Sequence, residues 1–174
     1  YMGDLRGWEV LKGKNVYKQS FDDFALLRTR ETLELTESEF LPATKEPVVV
    51  VTNPHFNALL VHEIVGHPTE ADRVLKLETA YAGRSWLFRD FNDNELGKQI
   101  ASPLLNAYSD PSIPGYGHYK YDMEGTPGKR VNLIENGILR GFMNGREYAA
   151  ILNHLPNGSM RATEPHYVPI VRMT

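Results

Sequence analysis

The stretch that most limits the fold is NPHFNALLVHEIVGHPTEAD, residues 53–72, because proline marks both ends of the helix it encodes. Asn53 suits an N-cap, and Pro54 suits the first helical position, where its missing N–H costs nothing. Phe56, Leu59, Leu60 and Ile64 recur at helical spacing and predict a core-facing stripe. The far end is where the helix fails. Pro68 has no N–H, so the carbonyl of Ile64 loses its regular partner. A residue before proline is pushed away from α geometry, which places the strain on His67, and Gly66 is the least helix-committed residue nearby. The helix is therefore predicted to distort or break at 66–68.

That distortion decides the chemistry. His62 and His67 are five apart with Glu63 beside the first, whereas the common zinc-protease signature places its histidines four apart. On a regular helix, five residues turn the side chains roughly 140° apart, so the pair could not chelate. A π-turn, with its bond from i to i+5, or a break just before His67, would bring them together. Glu63, about 100° from His62 on the wheel, then lies between them, where a carboxylate can accept a proton from a zinc-activated water. The rival reading is two ordinary histidines on an amphipathic helix. Zinc catalysis needs three protein ligands and an open position. Glu70 and Asp72 are candidates for the further ligand, or for the carboxylate that orients a histidine's second nitrogen. Asp122 and Glu124, beside a Gly-Pro loop, read first as turn residues, and His118 and His166 as structural.

The rest of the chain reads as α+β. Residues 1–20 suggest a strand and a turn. Ser20 with Asp23 caps a helix whose second half, Thr29–Thr36, alternates like a strand. VVVV at 48–51 reads as a short buried strand leading into the metal-motif helix, and Thr69 with Asp72 as the cap of a new helix through ADRVLKLE. Residues 101–143 read as antiparallel sheet, with loops at NAYSDPSIPGYG and EGTPGK and a type I′ hairpin at Asn136-Gly137. REYAAILNHL is a short helix, and Tyr167–Met173 a final strand. The segments divide as 1–46, 47–100 and 101–174, read together as one domain of a longer chain. Net charge is −3 with no Lys/Arg run, which argues against a general nucleic-acid binder, and no apolar run approaches membrane-span length. There is no cysteine, so neither disulfide nor thiolate ligand comes from these 174 residues.

HEIVGHPTEADR (62–73), DMEGTPGKRVNLIENGILRGFM (122–143) and VPIVRMT (168–174) together resemble the TldD/PmbA family, also called modulator of DNA gyrase, and its TldD-type subunit in particular. The resemblance implies a cytoplasmic zinc metallopeptidase working as a pair of related subunits, of which one carries HExxxH. It implies cleavage of unfolded or extended peptides, including antibiotic precursors and an antitoxin. By position it makes His62 and His67 metal ligands and Glu63 the catalytic base. The family's third ligand is a cysteine much further along than these residues reach. The alternative from a different class is a non-catalytic assembly or regulatory module with a vestigial histidine pair. An ordinary hydrolase without metal is disfavoured, because no Gly-x-Ser-x-Gly or comparable nucleophile elbow is present.

Overall fold

The computed structural model describes residues 20–80 and 83–174, so the strand and turn expected in 1–20 fall, but for Ser20, outside the described residues. Two compact units divide at Val51/Thr52. In the first, α1 runs Phe21–Glu37, with the Ser20 hydroxyl accepting the Asp23 N–H at 3.1 Å. The expected change to strand at Thr29 does not occur. Thr29 and Thr32 hydroxyls instead donate to the carbonyls four residues back, at 2.8 Å each, which accommodates these β-branched residues within the helix. Val48–Val51 also departs from expectation. It forms no ladder, and Val49 and Val51 are 97% and 94% exposed. β-branched composition favours a pleated, half-buried surface, but without a partner strand among the described residues there is no ladder to join.

The second unit, Thr52–Thr174, holds the site. α2 spans Pro54–Val61, and the Asn53 side chain accepts the Phe56 N–H at 2.8 Å, as the cap signal predicted. The predicted stripe is not a core face. Phe56, Leu59 and Ile64 are exposed, and α2 buries no residue. Burial begins only at Val65 and Gly66, in a π-helical turn over His62–Gly66, followed by a 3-10 turn over His67–Thr69. The helix expected through ADRVLKLE, to Glu78, is cut short: the observed α3 spans only Ala71–Val74. Thr69 does not cap it, because its hydroxyl turns back to the carbonyls of Val65 and Gly66, at 2.9 Å each. The chain then takes a positive φ at Lys76.

The sheet is as expected in kind and smaller in extent. β1 (Ala107–Ser109), β2 (Val131–Glu135) and β3 (Ile138–Leu139) pair antiparallel in that order. β1 occupies part of the segment predicted as loop, and its register against β2 shifts between Ala107 and Tyr108. Asn136 and Gly137 take φ of 50° and 76°, the two positive values a type I′ turn requires. α4 is Arg146–Ile151. β4 (Met160–Arg161) pairs with β5 (Ile170–Val171), the only strand formed within the expected Tyr167–Met173.

The core joins Val65, Val74, Leu87, Leu133, Leu139 and Phe142, among others. Each fully buried aliphatic or aromatic side chain contributes about 1.5–3 kcal/mol, so the segment after His67 is anchored by burial. Backbone bonds add direction. Met143 donates to the Thr69 carbonyl and Ala71 donates to the Met143 carbonyl, both at 2.9 Å, tying the end of the 3-10 turn to the segment after β3. The Ser85 hydroxyl holds the Pro68 carbonyl at 2.6 Å.

Candidate metal centre

The local fold answers the spacing problem. The His67 N–H donates to the His62 carbonyl, the i to i+5 bond of a π-turn, so one extra residue is absorbed between the two histidines. The imidazole centroids stand 4.6 Å apart, edge to face. One ligand atom each from His62, Glu63 and His67 lie within 4.8 Å of one another, the cluster of possible metal ligands found among the described residues. Zinc binds histidine nitrogen at about 2.0–2.1 Å, so two ligand atoms sharing an ion stand about 3.4 Å apart. His62 and Glu63 are exposed, and the donor set suits zinc.

His67 is the fixed member. It is partly buried, and its Nδ1 lies 2.8 Å from Oε2 of Glu70. Burial first, and Arg73 next, lower its pKa and keep the ring neutral. With Glu70 ionised, Nδ1–H donates to the carboxylate, and the Nε2 lone pair is left for a ligand. Glu70 is fully buried, and burial raises its pKa to about 7, opposed chiefly by Arg73, whose Nε lies 2.8 Å from Oε2.

Asp72 is elsewhere. Its Oδ2 accepts the Val171 N–H and its Oδ1 the Arg73 N–H, at 2.9 and 2.8 Å, so it joins α3 to β5 and holds no histidine. Burial pushes its pKa up, against these donors and Arg73. Asp122 organises its own turn, with Oδ1 accepting from Glu124 and Thr126 and Oδ2 from Met160. Glu124 accepts the Arg146 N–H at the start of α4. His118 bonds the Pro111 carbonyl through Nδ1, and His166 packs on Tyr167. None of these four joins the histidine pair.

Sequence reasoning passed over Arg73, Arg84 and Trp86, which line a cleft of about 330 Å³ together with Glu63 and His67. The signal available for Arg73 was its i+3 spacing from Glu70, the spacing of neighbours on one helical face.

The family model of the PmbA/TldA metallopeptidase C-terminal domain matches residues 45–174. A metalloprotease from Methanothermobacter thermautotrophicus is 36% identical over 99% of this chain and 34% of its own length. The zinc metalloprotease TldD homolog of Saccharolobus solfataricus is 33% identical over 71% of this chain and 26% of its own length. Thermococcus kodakarensis TldE overlays 62% of this chain and 22% of its own, with 25% identity and a TM-score of 0.46. The chain thus spans about a third or less of the length of these relatives, 34% and 26%. Among the described residues no helix is long and apolar enough to cross a membrane. With a family model matching residues 45–174, about three-quarters of its length, the chain belongs to the PmbA/TldD metallopeptidase family.

Proposed function

We propose that this chain forms the core of a zinc-dependent peptidase acting on extended or unfolded peptides. The observation that carries the reading is the convergence of His62, Glu63 and His67 across a π-turn. His62 and His67 would hold the zinc, which when bound would supply Lewis acidity and activate a water towards attack. Glu63, exposed beside the pair, accepts a proton from the attacking water at a carboxylate oxygen and can return it to the leaving amine. Glu70 fixes the His67 ring, so this ligand is aimed before metal arrives. Zinc is supported by the donor set and by the name of the Saccharolobus relative, a zinc metalloprotease TldD homolog. The resemblance extends the proposal to a cytoplasmic pair with a homologous subunit, the remaining ligand coming from chain beyond these residues.

The test uses the full-length protein with its partner subunit. Zinc content is measured by mass spectrometry, and hydrolysis is followed with a quenched-fluorescent unstructured peptide. Glu63→Gln is expected to keep its zinc and lose hydrolysis, and His62→Ala to lose zinc. Surviving hydrolysis in Glu63→Gln refutes the base assignment. A natural protein that binds no zinc leaves the non-catalytic module standing.

A further inference from the structure

The Arg73 guanidinium is 1% exposed, yet none of its three nitrogens, Nε, Nη1 and Nη2, has a hydrogen-bond acceptor among the described residues. Its charge faces Glu70, whose Oε2 lies 2.8 Å from Nε without hydrogen-bond alignment, while Nη1 stands 3.9 Å from Asp72 Oδ1, beyond hydrogen-bond reach. Buried donors without acceptors are costly, and a guanidinium edge is shaped to take two oxygens of one planar anion. The same side chain lines the cleft that Glu63 and His67 border. Arg84, exposed, lines it too, and half-exposed Trp86 supplies an apolar wall.

We infer that this cleft is a carboxylate-binding subsite next to the histidine pair, with Arg73 taking the anion and Arg84 adding positive charge at the same cleft. The inference rests on the peptidase reading and deepens it by naming a substrate class: peptides carrying a carboxylate close to the bond that is cut. That carboxylate belongs either to the chain terminus or to an acidic side chain. The chemistry at Arg73 is the same for both. Glu63 on the same cleft disfavours an anion placed directly against it, so the carboxylate sits on the arginine side while the scissile carbonyl lies by the histidines. Trp86 gives the intervening side chain an apolar surface to pack on.

The test measures binding, so that it does not depend on turnover. Full-length Glu63→Gln protein is titrated with a fluorescent hexapeptide in four forms, and anisotropy is read. The forms combine a free or amidated C-terminus with Glu or Gln at the penultimate position. A carboxylate form is expected to bind about tenfold tighter than the doubly neutral form, the scale of a charge-assisted bidentate contact. The form that gains identifies the source of the carboxylate. Arg84→Gln and Arg73→Lys are each expected to reduce that preference several-fold, Arg73→Lys because an ammonium cannot make the two-pronged contact. If Arg73→Lys fails to fold by circular dichroism, Arg84→Gln decides. Equal binding of all four forms, or a preference unchanged in the folded variants, overturns the inference. Preference for the carboxylate in a protein that neither holds zinc nor cuts peptides would keep the subsite and refute the peptidase reading.

Discussion

Thr69→Val attacks the turn on which the histidine pair depends without touching a proposed ligand. Thr69 is fully buried, and its hydroxyl lies 2.9 Å from both the Val65 and the Gly66 carbonyls, inside the segment where the regular ladder is interrupted. Valine keeps the β-branched shape and removes the donor. A buried acceptor deprived of its partner costs about 1–3 kcal/mol, and a methyl group facing two carbonyls adds to that rather than relieving it. For a domain of this size the melting midpoint shifts by about 2–4 °C per kcal/mol, so a fall of several degrees is expected in the metal-free protein. Zinc affinity should fall as well, because only the converged rings can share an ion. If the substitution favours a relaxed turn by about 1.4 kcal/mol, the loss is about tenfold. The assays are a thermal melt and a competition titration against a chromogenic chelator, with Thr69→Ser as the control that restores the hydroxyl. Thr69→Val matching the natural protein in both assays would refute the claim that this hydroxyl holds the turn.

Two further outcomes follow from the groups around the site. Glu70→Ala removes the oxygen 2.8 Å from His67 Nδ1, and zinc affinity by the same titration should drop about 10–100-fold while His62 and His67 remain. Asp72 has a folded pKa raised mainly by burial, so its contribution to stability is fully present below its unfolded value of 3.8 and is lost as pH rises through the folded value. Asp72→Asn lacks that titration, so the gap in melting temperature between natural and variant metal-free protein should be widest at low pH and narrow towards neutrality. A gap independent of pH would show that Asp72 does not titrate differently in the folded state.

What the residues settle locally, they settle early. Asn53 caps with Phe56, Asn136-Gly137 turns between β2 and β3, and Asp122 closes on Thr126, because donor and acceptor lie within a few positions of each other. The distortion ahead of Pro68 belongs to the same class, since a missing N–H acts on the turn that contains it. The misreadings share the opposite cause. Valines at 48–51 have the composition of a strand but no partner among the described residues, and the apolar face of α2 has periodicity without burial there. Asp72 had a helix cap within reach and instead accepts a bond from Val171, 99 residues on. Arg73 meets Trp86 across one cleft through the path of the intervening chain, which no spacing rule describes. Short-range bonding therefore determined that a π-turn could bring His62 and His67 together. Tertiary packing decided what surrounds them, because burial and distant hydrogen bonds depend on which surfaces the folded chain brings into contact.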